Sequence, residues 1–244
     1  MEKRREQLLE MLREQVFMTV TAMSKALFAS EATIRRDLIA LEKLGLIRRA
    51  HGGAEILNPK QVKPVWSLNA RQDVSAKRKI AQQAAALVQD GSVLYLDSSS
   101  TAKHVLPFLQ NKKLTIFTNC LETATQAAEM GLDTFLTGGQ VNAVSRCCQG
   151  AMVQRLLGNI YVDLMFFSVT ALSETGELTH NSAEAVDILR AMMSRSRASY
   201  LLCASSKLGH HATYSVCNCA ELSGVIAETK LPGISNQLPI PEEG

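Results

Sequence analysis

Residues 30–38 read Ser-Glu-Ala-Thr-Ile-Arg-Arg-Asp-Leu and carry the strongest local pattern in the chain. Serine is a favoured helix N-cap, so Ser30 predicts a helix that runs from Glu31 to about residue 44. Ile34 and Leu38 share the inward face of this helix. The opposite face then carries the polar side chains of Thr33, Arg35 and Arg36. Guanidinium and hydroxyl groups on the free face of a helix are typical of major-groove recognition in DNA.

The neighbouring segments complete the pattern of a winged helix-turn-helix. A leucine-rich helix is predicted over residues 3–14, and Thr19 caps a second helix that ends before Ser30. Residues 46–49 and 54–57 are predicted to form two short strands, which a Gly-Gly turn joins into a β-hairpin. This hairpin, the wing, is basic and suits contact with DNA phosphates. We therefore expect DNA contacts from seven residues of the third helix and the wing: Ser30, Thr33, Arg35, Arg36, Arg48, Arg49 and His51.

The charge distribution indicates an anionic partner for the N-terminal quarter. The chain of 244 residues has a formal net charge of +3. Residues 1–60 hold 11 Lys and Arg against 8 Asp and Glu, so the remainder of the chain is neutral as a set. A positive excess confined to one segment favours DNA binding by that segment.

The composition excludes several classes of protein. Hydrophobic residues make up 46% and charged residues 20% of the chain, which excludes a disordered chain and provides enough apolar material for a core. No apolar run approaches the roughly 18 to 20 residues that span a bilayer. The charged N-terminal stretch lacks the apolar core of a secretion signal. We therefore expect a cytoplasmic protein without a membrane partner.

All six cysteines lie in the second half of the chain, and we expect them to be reduced thiols. The Cys147-Cys148 pair and the Cys217-x-Cys219 pair lack the CxxC spacing of a structural zinc site. The other two cysteines are Cys120 and Cys203. The sequence thus predicts no metal site and no cofactor.

The pattern changes after the wing. Residues 58–64, Asn-Pro-Lys-Gln-Val-Lys-Pro, are polar and lack periodicity, which is typical of a linker. We therefore predict a DNA-binding domain, a linker, and a larger domain for effector sensing and oligomerisation, at residues 1–57, 58–75 and 76–235.

The larger domain alternates short apolar runs with helical stretches. The predicted strands are residues 92–96, 114–117, 134–136, 162–169, 200–203 and 225–226. Runs that are apolar on both faces and separated by helices predict an α/β domain with a mostly parallel sheet covered on both sides.

Polar residues follow several of these strands, and the carboxyl ends of parallel strands line the ligand crevice of such sheets. Hydroxyl groups and backbone N–H groups at the start of a helix bind anions. Lys207 adds a cation, while Asp97 and Asn119 suit the hydroxyl groups of a sugar. We expect a phosphorylated small molecule to contact eight residues: Asp97, Ser98, Ser100, Thr101, Asn119, Gly138, Gly139 and Lys207.

The N-terminal residues resemble the DNA-binding domain of the DeoR family of bacterial transcriptional regulators. The resemblance rests on the runs Thr33-Ile34-Arg35-Arg36-Asp37-Leu38, Leu41-Glu42 and His51-Gly52-Gly53-Ala54. The second domain resembles the effector domain of the same family, which is similar in fold to ribose-5-phosphate isomerase and the CoA-transferases. The matching segments are Asp97, Ser100-Thr101, Thr118-Asn119, Gly138-Gly139 and Ser205-Ser206-Lys207-Leu208-Gly209.

This resemblance implies a sequence-specific regulator, a repressor of a carbohydrate-utilisation operon that a phosphorylated sugar or a related metabolite controls. It also implies a homo-oligomer, a dimer or higher. Two positions depart from the family pattern: Ala204 stands where an Asp is common, and Glu228 lies where Ile-Thr-Asp is usual. These departures predict an atypical ligand or a partly degenerate sensor.

Two other functions stay open on the sequence alone. In one, the second domain only oligomerises the DNA-binding domains. In the other, the chain is an isomerase-like enzyme acting on sugar phosphates, with Asp97 or Glu184 as the general base. Because no acid and base residues occur at a specific spacing, we expect no catalytic residue.

Overall fold

The structure, a computed structural model, describes residues 2–15, 17–43, 46–50, 52–57, 73–142 and 145–241. The chain divides into two units, Met1–Leu68 and Asn69–Gly244. His51 of the predicted wing and residues 58–72 of the predicted linker lie outside the described residues. The domain limits at residues 57 and 76 stay predictions.

The described part of the first unit has the predicted winged helix-turn-helix architecture. Its helices are α1 (Glu2–Gln15), α2 (Val20–Ala26) and α3 (Glu31–Lys43). Its strands are β1 (Phe17–Thr19), β2 (Ile47–Ala50) and β3 (Gly53–Ile56), which form an antiparallel sheet in the order β1-β3-β2. Strand β1 was not predicted, because three residues are too few to show an alternating pattern.

Hydroxyl caps set the starts of α2 and α3, as the sequence predicts. Thr19 Oγ1 accepts a hydrogen bond from the backbone N–H of Ala22 at 3.2 Å. Ser30 Oγ accepts one from the backbone N–H of Thr33 at 3.3 Å. These bonds satisfy N–H groups that have no partner within the helix, so they fix where each helix begins.

One apolar cluster holds the first unit together. Helix α1 contributes Leu8 and Leu12, α3 contributes Ile34 and Leu38, and the wing contributes Ile56, all of them buried. Because Ile34 and Leu38 face this core, the side chains of Arg35 and Arg36 between them are turned towards solvent.

Asp37 adds a polar tie between α1 and α3. Its side chain is only 2% exposed and accepts hydrogen bonds from Nε of Arg4 at 2.6 Å and Nε of Arg5 at 2.9 Å. A buried carboxylate needs such partners, because an unpaired buried charge is costly. Asp37 therefore anchors α1 to α3, because its two arginine partners lie on α1 and not on its own helix.

The second unit begins with helix α4 (Val74–Ala86), which starts inside the predicted linker 58–75. Its strands are β4 (Val93–Leu96), β5 (Thr115–Thr118), β6 (Asp133–Leu136), β7 (Gln140–Asn142), β8 (Cys147–Gln149), β9 (Val162–Phe167), β10 (Ala171–Leu172), β11 (Glu177–His180), β12 (Ser196–Leu202), β13 (Tyr214–Asn218) and β14 (Gly224–Ile226). Its further α-helices are α5 (Ser100–Lys103), α6 (Leu121–Glu129), α7 (Ala151–Leu157) and α8 (Ala183–Met193).

Six strands form one parallel sheet in the order β14-β12-β9-β4-β5-β6, which confirms the predicted α/β class. Each of the six predicted strands corresponds to one of them. The antiparallel hairpin β7–β8 and the small sheet β10-β11-β13 were not predicted. Their short strands lie outside the continuous apolar runs on which the prediction was based.

Both faces of the central strands of the parallel sheet are buried, whereas the edge strand β6 exposes Phe135 and Leu136. In β9, Met165 and Phe167 pack in the cluster on one side, and Phe166 packs in the cluster on the other. In β4, Tyr95 packs with the first of these clusters and Leu94 with the second. Because neither face of these central strands meets water, their polar side chains collect where the strands end. We call the end at which the chain leaves the strands the carboxyl edge.

Within the described ranges, no helix combines the length and the apolar character needed to cross a membrane.

Replacing Asp37 with Asn should loosen α1, because both arginines lose their charged acceptor. We expect the local free energy of opening of α1 to fall by about 1–3 kcal/mol, measured by hydrogen–deuterium exchange of the full-length protein. The control is Glu31→Gln, which breaks an exposed ion pair with Arg35 and should cost less than about 1 kcal/mol. Equal exchange of α1 in the wild type and Asp37→Asn would contradict the anchoring role.

Candidate functional site

The first turn of α3 contains two of the residues predicted to contact DNA. The hydroxyls of Ser30 and Thr33 are 2.8 Å apart and hydrogen bonded to each other. Ser30 is exposed and Thr33 is half-buried. Their hydroxyls therefore lie together at the start of the predicted recognition helix.

The two arginines of α3 differ in their partners. Arg35 is exposed and makes an ion pair with Glu31, one turn earlier, at 2.8 Å. Arg36 is exposed too, and no hydrogen bond or ion pair links it to another described residue. Among the described residues the guanidinium of Arg36 thus keeps more donors for a ligand than that of Arg35, and its contact with DNA stays a prediction.

Both described arginines of the wing are paired with carboxylates. Arg48 on β2 pairs with Glu55, its cross-strand neighbour on β3. Arg49 pairs with Glu42 of α3, with Nε 2.6 Å from Oε2. The backbone N–H and then the guanidinium of Arg49 lower the pKa of Glu42. Glutamates therefore position the wing arginines before any DNA arrives, which the sequence analysis did not predict.

The turn between α2 and α3 has an unusual residue at its tip. Phe28 adopts a positive φ of 48° and its side chain is 97% exposed. A bulky residue in this left-handed conformation is strained. The exposed ring also lacks the stabilisation that burial would provide. The sequence analysis ended the second helix before Ser30 and did not single out Phe28.

Asp97 organises the start of α5 at the carboxyl edge. It follows β4 and is buried, and Oδ1 accepts hydrogen bonds from the N–H and the hydroxyl of Ser99 at 3.0 and 2.5 Å. Ser99 in turn caps α5 by accepting from the N–H of Ala102 at 3.1 Å. Ser100 and Thr101, both predicted effector contacts, form the buried first turn of that helix.

Ser168 connects Asp97 with Lys207. It follows β9, which lies between β4 and β12 in the sheet. Its N–H donates to Oδ2 of Asp97 at 3.2 Å, and its hydroxyl accepts from Nζ of Lys207 at 2.7 Å. Lys207 Nζ also donates to the carbonyl of Val169 at 2.6 Å. The sequence analysis missed Ser168, because a lone serine after a strand matches no motif.

Burial and charge oppose each other at this edge. Burial raises the pKa of Asp97 to about 6, although hydrogen bonds from Ser99 and Ser168 and the charge of Lys207 favour the carboxylate. Burial likewise lowers the pKa of Lys207, although the charge of Asp97 favours its ammonium form. A ligand with both an anionic group and hydroxyls fits this pair, because Lys207 attracts the anion and the Asp97 carboxylate accepts from hydroxyls.

A second cation, Lys77, was missed by the sequence analysis. Lys77 is 4% exposed on α4. Its N–H donates to the carbonyl of Asp73, whose carboxylate accepts from the hydroxyl of Ser206 at 2.7 Å. The first turn of α4 therefore adjoins the residues Ser205–Lys207, which we call the Lys207 turn. Burial and then the charge of Lys207 lower the pKa of Lys77 to about 8, against the charge of Asp73.

Glu228 anchors the Lys207 turn from the other end of the domain. Its two carboxylate oxygens lie 3.0 and 3.1 Å from the backbone N of Ser205, and one also accepts from the Ser205 hydroxyl. Ala204, the other departure from the family pattern, is buried directly before the turn. The acidic residue at position 228 thus has a definite role in placing Lys207.

Asn119 and Ser98 lie at the same edge but bond to neighbouring protein groups. The Asn119 side chain accepts from the Tyr95 hydroxyl at 3.0 Å and donates to the carbonyl of Cys148 at 3.3 Å. The Ser98 side chain lies beside that of Cys147, where it lowers the pKa of the thiol against the effect of burial. Both residues shape the edge next to Asp97, and their contact with an effector stays a prediction.

Gly138 and Gly139 follow β6, two strands beyond β4 in the sheet. Gly139 has a φ of +100°, and a Cβ atom there would lie 2.8 Å from the carbonyl oxygen of Gln149. Only glycine allows the backbone at this position to lie so close to the backbone of Gln149. Ser168 thus links Asp97 with Lys207, whereas the two glycines lie farther along the edge.

A separate open cavity of about 910 Å³ lies at the start of β12, at the opposite end of that strand from Lys207. None of the predicted effector residues lines it. Its Arg190 donates to the carbonyls of Val216 and Ser215 at 2.9 and 3.1 Å, so this guanidinium holds α8 against β13. Ligands of open parallel sheets bind at the carboxyl ends of the strands, and we therefore place the candidate effector site at the carboxyl edge.

The described residues contain no group of three or more His, Cys, Asp or Glu side chains that could hold a metal ion. Glu184, the second carboxylate considered for catalysis, is exposed in the first turn of α8.

Comparison with protein families gives two matches that cover most of the chain. The DeoR-like helix-turn-helix domain matches residues 4–60, and the DeoR C terminal sensor domain matches residues 72–229.

Two proteins similar to this chain are named as transcriptional regulators. The chain is 29% identical over 231 residues to the HTH-type transcriptional regulator GolR of Listeria innocua, covering 94% of this chain and 91% of that protein. It is 30% identical over 208 residues to the lactose phosphotransferase system repressor of Staphylococcus aureus, covering 84% and 82%.

Solved structures show a similar fold at low identity. eIF2B delta from Chaetomium thermophilum matches with a TM-score of 0.50 and 16% identity, over 67% of this chain and 59% of that chain. Ribose 5-phosphate isomerase A from Methanocaldococcus jannaschii matches with a TM-score of 0.43 and 19% identity, over 56% and 55%. The chain thus spans less than two thirds of each of these proteins.

The raised pKa of Asp97 predicts a pH-dependent stability of the second unit. The pKa of an unburied Asp is 3.8, so the native state binds the Asp97 proton more tightly than the unfolded state. The stability of the wild type relative to Asp97→Asn should therefore be greatest at about pH 4 or below and fall by about 2–3 kcal/mol as the pH rises through about 6. Urea unfolding at several pH values measures this difference, and a constant difference between about pH 4 and 7 would contradict the assignment.

Proposed function

The chain belongs to the DeoR family of DNA-binding transcriptional regulators, and we propose that it is a repressor of a carbohydrate-utilisation operon that a phosphorylated sugar or a related metabolite controls. In this proposal the first unit binds operator DNA and the second unit binds the metabolite. The protein would act in the cytoplasm, where both ligands occur.

The position of α3 carries the DNA-binding half of the proposal. The apolar cluster holds Ile34 and Leu38 inward, which leaves Arg35 and Arg36 exposed on the opposite face. An arginine on an exposed recognition helix can donate two hydrogen bonds to one guanine or contact phosphates. Ser30 and Thr33 are short enough to approach the DNA from the first turn, and Arg48, Arg49 and His51 would contact it from the wing.

Lys207 lies close to both Lys77 and Asp97, and this closeness carries the effector-binding half of the proposal. A lysine ammonium has three N–H donors, and Lys207 uses two of them on Ser168 and Val169. The third donor and the nearby charge of Lys77 suit a phosphate, which carries a double negative charge. Asp97 would accept from sugar hydroxyls, and Ser98, Ser100, Thr101, Asn119, Gly138 and Gly139 would complete the site.

The nature of the relatives supports a carbohydrate ligand. A relative of similar length is a repressor of a lactose phosphotransferase system, and lactose is a sugar. A ligand at the carboxyl edge changes DNA binding only if it binds more tightly to one arrangement of the protein than to another.

We also propose a homo-oligomer, a dimer or higher. One short recognition helix reads only a few base pairs, so two copies on half-sites spaced by turns of the DNA are needed for specificity. Ligand binding would then act on the relative placement of the two helices.

Arg36→Ala should weaken specific DNA binding by about 5- to 150-fold, equivalent to about 1–3 kcal/mol. Fluorescence anisotropy with DNA from the promoter region of its own gene, compared with scrambled DNA, measures the change. Arg155→Ala, which removes an exposed arginine from α7 in the other unit, is the charge-matched control and should leave the affinity unchanged. Equal affinities of Arg36→Ala and the control would remove Arg36 from the DNA interface.

Lys207→Ala should abolish the response to effector without affecting DNA binding. The same anisotropy assay is run with pentose and hexose phosphates, each at a range of concentrations. We expect the phosphate that alters the wild-type complex to bind at least about 30-fold more weakly to Lys207→Ala, because a charge-assisted contact is lost. Lys230→Ala, which removes an exposed lysine of the same unit, is the control. A full response by Lys207→Ala would place the phosphate elsewhere.

A further inference from the structure

Two cysteines face each other beside the carboxyl edge. Cys120 follows the end of β5, and Cys147 is the first residue of β8. The two residues form an isolated antiparallel bridge, although neither strand continues the pairing. Residues opposite each other in such a pair hold their side chains on the same side of the backbone. The two thiols are therefore neighbours despite a separation of 27 residues along the chain.

The backbone around the pair has the geometry that a disulfide requires. The N–H of Leu121 donates to the carbonyl of Arg146 at 3.0 Å, and the N–H of Cys148 donates to the carbonyl of Asn119 at 2.7 Å. These bonds flank the two cysteines instead of joining them, which defines a non-hydrogen-bonded pair. Cα atoms in such pairs lie about 4.5 Å apart, within the range of about 4.4–6.8 Å found for disulfides.

The two thiols also affect each other's pKa. The interaction with Cys147 lowers the pKa of Cys120, and the same interaction together with burial raises the pKa of Cys147. The Cys147 thiol donates to the carbonyl of Ser145 at 2.9 Å, and Cys120 is the N-cap residue of α6, where the helix N-terminus favours a thiolate. Of the two, Cys120 is therefore the thiol that more readily loses its proton.

We propose that Cys120 and Cys147 are a redox modification site, at which a small hydroperoxide oxidises the pair to a reversible disulfide. The Cys120 thiolate attacks the peroxide oxygen, which breaks the O–O bond, forms a sulfenic acid and releases an alkoxide or hydroxide that takes up a proton. The Cys147 sulfur then attacks the sulfenic sulfur, forms the S–S bond and releases water. Two thiols and one hydroperoxide thus give one disulfide, one alcohol or water molecule, and one further water molecule.

Access limits the oxidant to a small molecule. Cys120 is completely buried and Cys147 is 8% exposed, so the oxidant reaches the pair from the side of Cys147. A hydroperoxide meets this limit better than a bulky disulfide does.

The other cysteines lack these features. Cys148 is adjacent to Cys147 but lies on the opposite face of β8, where it contacts Thr137, and burial raises its pKa. Burial also raises the pKa of the three remaining thiols, Cys203, Cys217 and Cys219. The site is therefore confined to one pair.

Oxidation would change the carboxyl edge itself. The Cys147 thiol donates to the carbonyl of Ser145 at 2.9 Å and lies beside Ser98, and Cys120 follows Asn119 directly. Drawing the two sulfurs to bonding distance removes this donor and the thiol beside Ser98. The formation of the disulfide does not depend on which metabolite the domain binds, or on whether it binds one.

The test uses full-length reduced protein treated with hydrogen peroxide and then alkylated, with intact mass and non-reducing peptide mapping as readouts. We expect a mass loss of about 2 Da before alkylation, a peptide that links Cys120 to Cys147, and four alkylated cysteines. Dithiothreitol should restore the original mass. Cys120→Ser and Cys147→Ser should each lose the cross-link, whereas the matched control Cys148→Ser should form it at the wild-type rate.

The wild-type map tests the proposal even if a variant fails to fold. A cross-link that involves Cys148, oxidation without any cross-link, or six free thiols at peroxide concentrations that oxidise free cysteine would each overturn it. These results are independent of DNA and effector binding, so they separate the failure of this proposal from a failure of the regulator function.

Discussion

The hydroxyl of Ser168 holds together the carboxyl edge of a sheet whose central strands are buried on both faces. It donates to the carbonyl of Leu202 and accepts from Lys207, while the Ser168 N–H donates to Asp97. Polar groups removed from water have to find partners within the protein. Ser168 provides them for an acid and a base on either side of it, so the two do not neutralise each other in a direct ion pair. Both groups therefore stay positioned for a ligand.

The Lys207 turn depends on contacts from both ends of the second unit. Asp73 at the start of α4 accepts from Ser206, and Glu228 after β14 accepts from Ser205. These contacts fix the turn before any ligand binds, which reduces the entropy that binding has to remove. Helix α4 also brings Lys77 to the same place. Helix α4 is thus the first described element after the linker residues 58–72, and it is also part of the candidate effector site.

Local patterns predicted the fold, and partners distant in sequence escaped prediction. Apolar runs identified the parallel strands because both faces are buried, and Thr19 and Ser30 marked their helices through bonds only three residues long. Ser168 could not be recognised, since its partners Leu202, Lys207 and Asp97 lie 34, 39 and 71 residues away. The burial of Lys77 could have been predicted, because its spacing places it on the apolar face of α4 with Ile80, Ala81 and Ala84. The wing arginines were predicted as cations for phosphates, but their partners Glu55 and Glu42 were not.

The paired state of those wing arginines affects how salt acts on the protein. A free arginine that neutralises a DNA phosphate displaces a condensed counterion, and this release makes binding weaken steeply with ionic strength. In the proposed complex, Arg48 and Arg49 would instead each exchange a carboxylate for a phosphate, and the glutamate left behind would attract a cation from solution. The net release of ions would then be smaller than the number of arginines at the interface. Glu55 of the wing and Glu42 of α3 would thus reduce the dependence of DNA binding on ionic strength.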